Sequence, residues 1–119
     1  MASRAALKLG DLGLPEDVRR RIERAVEVIR SVAADARVLL FGSFARGDWL
    51  EESDIDLLVI SDAFGGMSYL ERLERIKRAL LENGLPRVHV IPLTWGELEE
   101  LGERSVVISD APEYAVEVV

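Results

Sequence analysis

The chain has no cysteine and no glutamine, a single asparagine (Asn83), a single histidine (His89), and aromatic residues at only 6% of its 119 positions. Without cysteine there is no disulfide, no Cys-ligated zinc and no thiol nucleophile, although that absence does not fix a compartment. The scarcity of amides beside much Arg, Glu and Val leans towards a heat-adapted source. No apolar run approaches membrane-spanning length, and the opening MASRAALKLG lacks both a long apolar core and a cleavage-like site. A soluble, cytoplasmic protein with no membrane partner is the expectation. Positive charge is the scarcer sign, 15 Lys and Arg against 22 Asp and Glu, for a net charge of -7. This argues against nucleic-acid binding by this domain alone. The imbalance is uneven: residues 1–37 carry a net +2 and residues 38–119 a net -9, which suits a protein partner better than a polyanion. The length fits one domain over residues 1–119, with residues 1–14 as a loosely ordered lead-in, so any acceptor would come from another chain. There is no internal repeat, P-loop, zinc spacing or serine-histidine-acid set. Homo-oligomerisation is left open.

What is present centres on residues 37–60, RVLLFGSFARGDWLEESDIDLLVI. Residues 38–41 are a continuous apolar run, expected to be a strand buried on both faces. Gly42 and Ser43 follow it directly. The glycine lets backbone approach a ligand closely, and Ser43 falls where N–H groups at a helix start face an anion. A second apolar strand, residues 55–60, carries Asp54 and Asp56 at its entrance. Their i, i+2 spacing puts both carboxylates on one face of a strand, where they repel. A hard cation such as Mg²⁺, holding waters and a substrate phosphate, is the usual reason to tolerate that repulsion. A carboxylate pair beside a phosphate cradle points to phosphoryl or nucleotidyl transfer. Arg46 either reaches a phosphate or braces Asp54 or Asp56. Trp49 either stacks on a base or covers the sheet edge.

At these residues the chain resembles the minimal nucleotidyltransferases of the polymerase-beta superfamily. The family pattern is Gly-Ser, ten residues, then Asp-x-Asp, met here by Gly42-Ser43 and Asp54-Ile55-Asp56; the fuller GSxARG and SDIDLLV forms are met as well. The resemblance implies an α/β (α+β) nucleotidyltransferase fold, a small mixed sheet of three to four strands flanked by helices. It further implies that Ser43 contacts the triphosphate, with Gly42 and Arg46 beside it, while Asp54 and Asp56 hold Mg²⁺ or Mn²⁺ and ATP is the substrate. Stand-alone members are often encoded with a small helical HEPN protein, a toxin that the nucleotidyltransferase silences by adding AMP. That pairing is the leading functional expectation. The alternative is a weak or inactive member that neutralises or scaffolds its partner by binding alone.

The remaining elements are expected to hold this stretch. An amphipathic helix over residues 15–34 carries Val18, Ile22, Ala25, Val26, Ile29 and Val32 on one face. Its arginines are either a phosphate-facing strip or a solvated face paired with Glu23 and Glu27. The first two strands must run antiparallel to bring the Gly-Ser turn to the aspartates. A helix over residues 68–83, with Tyr69, Leu70, Leu73, Ile76, Leu80 and Leu81 as its apolar stripe, leads to a third strand over residues 87–91. This crossover is expected to be parallel and right-handed. It brings residues 88–90 beside the aspartates, where family members usually place a third acid; here that position is His89. The substitution leaves three readings: altered metal preference, with His89 as a third site member and general base; a weak enzyme; or a fold that no longer catalyses. His89 could instead be a buried histidine bonded to Asp54 or Asp56. Thr94 and Glu97 form a capping box for a helix to residue 102, with Leu98 and Leu101 inward and Trp95 able to join them. Residues 105–110 read as a short helix or extended piece, and residues 114–119 as an added edge strand.

Overall fold

The computed structural model describes residues 9–102 and 115–118. The elements are α1 (Glu16–Val32), β1 (Arg37–Phe41), α2 (Gly42–Arg46), β2 (Ile55–Ile60), α3 (Tyr69–Glu82), β3 (Val88–Leu93), α4 (Trp95–Gly102) and β4 (Val116–Val118), with 3-10 turns at Leu9–Leu12 and Asp62–Phe64. The strands form one mixed sheet in the order β3-β2-β1-β4. β1 runs antiparallel to both β2 and β4, and β2 runs parallel to β3. This is the expected α/β architecture, and β4 is the expected edge strand. The segment 105–110, read above as a helix or extended piece, lies outside the described residues.

Strand alternation divides the core. Val38 and Leu40 of β1, with Ile55, Leu57 and Val59 of β2, join Ile22, Ala25, Ile29, Ile76 and Leu80 in the main cluster beneath α1 and α3. The opposite face is built from Phe41, Leu58, Ile60 and Leu93, with Leu98 of α4 packed against them. Burial removes apolar surface from water at about 25 cal/mol per Å². Truncating a fully enclosed side chain such as Ile22 or Leu57 therefore costs about 2–5 kcal/mol.

Several expectations are corrected here. Pro15 stands just before α1 as its N-cap and is not its first helical residue. β3 extends to Leu93, beyond the expected end at Ile91. The α3 stripe is narrower than its sequence implied: Ile76 and Leu80 are buried, but Leu70 is 64% and Leu81 62% exposed, and Tyr69 also faces solvent. The reason is angular. A helix of this length seated on a sheet buries one stripe, and Leu70 and Leu81 fall beside that stripe. Arg72 occupies a buried place instead, 5% exposed at its side chain. Leu101 is also exposed, and Trp95 lies over the Arg37 guanidinium at 5.5 Å and is not inward.

The basic face of α1 is the solvated, paired kind. Arg20 bonds Glu16 at 2.8 Å, Arg19 pairs with Glu23 at 3.8 Å, and Arg24 bonds both Glu27 and Asn83. Arg30 donates to the carbonyls of Ala36 and Val118, tying α1 to β4.

Arg72 forms the second tie. Its guanidinium donates to Glu97 at 2.6 and 3.1 Å and to the Pro92 carbonyl at 3.2 Å. Glu97 also closes the capping box: it accepts from Thr94 N at 2.8 Å, and Thr94 Oγ1 accepts from Glu97 N at 3.2 Å. The bonds from Arg72, then the Thr94 backbone, hold the Glu97 carboxyl down at about 2, against an ordinary value of 4.5. A depressed carboxylate contributes its full stability above the unfolded value and loses it as pH falls through the folded one. Glu97→Gln is expected to cost about 2 kcal/mol at pH 7, less than for a fully buried pair because the Glu97 side chain is 41% exposed. In urea titrations the gap between wild type and variant should close between about pH 4.5 and pH 2. A gap independent of pH would exclude the ionised pair as its source.

Candidate active site

The register of three strands assembles the site at one end of the sheet. Phe41 lies opposite Asp56 across the β1–β2 pair, and Asp56 lies beside His89 across the β2–β3 pair. With side chains alternating, Asp54, Asp56 and His89 share the face carrying Leu58 and Leu93, away from α1 and α3. The antiparallel and parallel pairings expected from the sequence do bring the Gly-Ser turn, both aspartates and His89 together.

Gly42 turns the chain from β1 into α2 with φ +74°, in the left-handed region. A Cβ at this position would lie 3.0 Å from Asp56 Cγ and nearer still to Oδ2. Only glycine lets the backbone sit this close to the carboxylate. Ser43 follows in the first turn of α2, half-buried, with its carbonyl accepting from Gly47 N at 2.9 Å. Trp49 stacks on Phe44, rings 5.6 Å apart, so it covers the core beneath α2. Arg46 pairs with Asp48 at 3.3 Å.

Both imidazole nitrogens face carboxylates. His89 Nε2 is 3.6 Å from Asp54 Oδ2, and His89 Nδ1 is 3.4 Å from Asp56 Oδ1. The side chain is 65% exposed, so the buried-histidine reading is corrected: the contact with the aspartates exists, but on an open surface. β3 is an edge strand, with no further strand of the described sheet outside it. Burial pushes the Asp56 carboxyl above its ordinary value and the Asp54 charge adds to this, while His89 and Arg46 act in the opposite direction. Asp56 is therefore a carboxylate held short of compensating charge.

That shortfall bears on whether a divalent ion fits. Among the described residues no group of three or more His, Cys, Asp or Glu side chains forms a metal cage. Two carboxylates on one strand face are nevertheless the donor set with which Mg²⁺ is commonly held, when phosphates and waters fill the rest of its shell. The residues fit an ion that arrives with a phosphate ligand and do not fit a permanently resident one.

One neighbour was not singled out from the sequence. Arg87 Nε lies 3.1 Å from Asp54 Oδ1, and the same guanidinium donates to the Glu52 carbonyl. The signal was available in the register: Ile55 pairs with Val88, so residue 87 must stand beside residue 54. Outside β3, a cleft of about 230 Å³ leads from His89 past Val88, Pro86 and Leu85 to Leu81 and Lys77.

Paired carboxylates on a sheet beside a Gly-Ser turn make a candidate site for phosphoryl or nucleotidyl transfer. Residues 19–114 match the family model of the nucleotidyltransferase domain, and the chain belongs to that family. It is similar to three Methanocaldococcus jannaschii proteins, each named "Putative protein adenylyltransferase". One is 62% identical over 26 residues, 22% of this chain and 26% of that protein. Another is 33% identical over 61 residues, 51% of this chain and 61% of that protein. The matches thus span less than two thirds of the length of these relatives. Among solved structures, a Sulfolobus solfataricus protein described as a "putative nucleotidyltransferase" is 27% identical with a TM-score of 0.59, over 82% of this chain and 76% of that one. A second, described in the same words, is 25% identical with a TM-score of 0.50, over 69% of this chain and 87% of that one.

Proposed function

We propose that the protein transfers AMP from ATP to a hydroxyl of a partner protein, and that the partner is a small helical HEPN protein silenced as the toxin of a toxin-antitoxin pair. The observation that carries the chemistry is the approach of Gly42 backbone to Asp56, which sets a phosphate-binding turn against the carboxylate pair. The names of the Methanocaldococcus relatives support a protein as acceptor.

In this reading Ser43 and the backbone N–H groups around it hold the triphosphate, and Arg46 exchanges Asp48 for a phosphate oxygen. Asp54 and Asp56 would hold Mg²⁺, or Mn²⁺, which supplies charge stabilisation at the phosphate oxygens. The acceptor oxygen bonds to the α-phosphorus as the bond to the β-phosphate oxygen breaks, and pyrophosphate leaves. The acceptor proton passes to His89, which stands on the open β3 side where a hydroxyl can enter.

Calorimetric titration of ATP, first with Mg²⁺ and then with Mn²⁺, tests the site, and transfer of label from the α-phosphate to a co-expressed HEPN protein tests the acceptor. Metal-dependent binding followed by labelling of the partner is expected. Absence of ATP binding with either metal would sink the enzymatic reading.

The second reading, neutralisation by contact alone, is favoured by a separate observation. α3 exposes Leu70 and Leu81 on a face that continues into the cleft beside His89. Apolar side chains grouped in this way suit a helical protein partner. Replacing both (Leu70→Glu, Leu81→Glu) should abolish neutralisation of the HEPN protein while leaving ATP binding within about twofold. Undiminished neutralisation by that variant would remove α3 from the interface.

A further inference from the structure

We propose that Arg87 is a positioning residue that fixes the Asp54 carboxylate for metal binding, an inference that rests on the reading of the aspartate pair given above. Three ties join residue 87 to the chain around Asp54. The Arg87 carbonyl accepts from Ile55 N at 3.1 Å, its Nε pairs with Asp54 Oδ1 at 3.1 Å, and its terminal nitrogen donates to the Glu52 carbonyl. One planar guanidinium therefore holds both the acidic loop and the side chain that the loop delivers to β2.

The orientation matters because the two oxygens of Asp54 are not equivalent. Oδ1 is taken by Arg87, whereas Oδ2 is turned towards His89, which also faces Asp56 Oδ1. The oxygen left for an ion is Oδ2, which faces the same imidazole as Asp56 Oδ1. Groups that hydrogen-bond a ligating carboxylate in this way commonly set metal affinity by 10–100-fold.

A guanidinium beside a carboxylate can also act with the opposite sign. It partly neutralises the charge that attracts a cation, and its removal would then tighten metal binding. The geometry favours positioning: besides pairing with Asp54, the guanidinium reaches the Glu52 carbonyl and the Arg87 carbonyl accepts from Ile55 N, so residue 87 is tied to the chain on both sides of Asp54. The ion pair itself is half-exposed, so its Coulomb contribution is small, about 0–1 kcal/mol.

The probe is Mn²⁺ with α,β-methylene ATP, read by the rise in water-proton relaxation when the ion becomes protein-bound, with the same mixture lacking protein as the reference. Arg87→Ala should weaken Mn²⁺ binding about tenfold. Arg87→Lys keeps the charge but loses the planar fork, and should also weaken it. This second variant decides the matter if the alanine variant fails to fold. In an Asp54→Asn background, Arg87→Ala should have no further effect, since Arg87 acts through that carboxylate. Mn²⁺ affinity unchanged or tightened by Arg87→Ala would overturn the proposal, as would a tenfold loss that persists without Asp54. A wild-type protein that takes up no Mn²⁺ would instead overturn the reading of the aspartates as a metal pair.

Discussion

The double variant Asp54→Asn, Asp56→Asn is expected to lose nucleotidyl transfer by about 10³-fold or more, since the charge stabilisation assigned to the pair amounts to several kcal/mol. Its fold should survive. Asp56 sits on the second face of the sheet with its side chain 25% exposed, and burial raises its carboxyl above the ordinary value. A carboxyl raised in the folded state makes its ionised form a cost to folding at neutral pH, and that cost disappears only as pH falls below the folded value. Asparagine keeps the shape and removes the charge. The thermal midpoint of the double variant at pH 7 should therefore stay close to that of wild type, the relief at Asp56 being set against the lost charge of the Arg87–Asp54 pair. Transfer is followed with α-labelled ATP, and stability by the thermal transition. Full transfer with both carboxylates gone would remove the aspartates from the chemistry. Loss of transfer together with collapse of the fold would make them structural. Neutralisation of the partner is the third readout, since a variant that transfers nothing and still neutralises would place function in contact.

Much of this arrangement could be read from the sequence because it rests on short-range rules. Continuous apolar runs on either side of the Gly-Ser to Asp-x-Asp interval define two strands. Bringing the interval's ends together forces an antiparallel pairing, which the register of Phe41 with Asp56 realises. The length of the crossover through α3 then forces a parallel β3 and carries His89 to Asp56. What could not be read depends on how elements seat on one another. Periodicity identified the α3 stripe, but the width that the sheet could cover left Leu70 and Leu81 outside. Arg72 lay among exposed-type residues in the sequence, yet it is buried, because Glu97 and the Pro92 carbonyl converge on it from segments 20 or more residues away. The His89 contacts were legible while its exposure was not, since exposure depends on what lies outside an edge strand. Arg87 was deducible from register, but only after the register was known.

Gly42→Ala is expected to be the most disruptive single substitution that adds only one carbon, and its effect has two separable parts. An alanine at φ +74° bears left-handed strain of about 1–2 kcal/mol. The added Cβ must also displace the Asp56 carboxylate, whose Cγ would be 3.0 Å away, so the combined loss should reach about 2–4 kcal/mol. Gly47 provides the control. It has φ +92° at the end of α2, but nothing lies within 4 Å of where its Cβ would stand. Gly47→Ala should show the strain alone, and the difference between the two variants measures the contact with Asp56. Urea unfolding gives both values. In an Asp56→Ala background that difference should shrink by half or more, because the carboxylate is no longer there to be pushed. Equal losses for Gly42→Ala and Gly47→Ala would mean that Asp56 moves aside freely. The glycine would then be needed only for its backbone angle, and the close approach that carries the phosphate-cradle reading would lose its force.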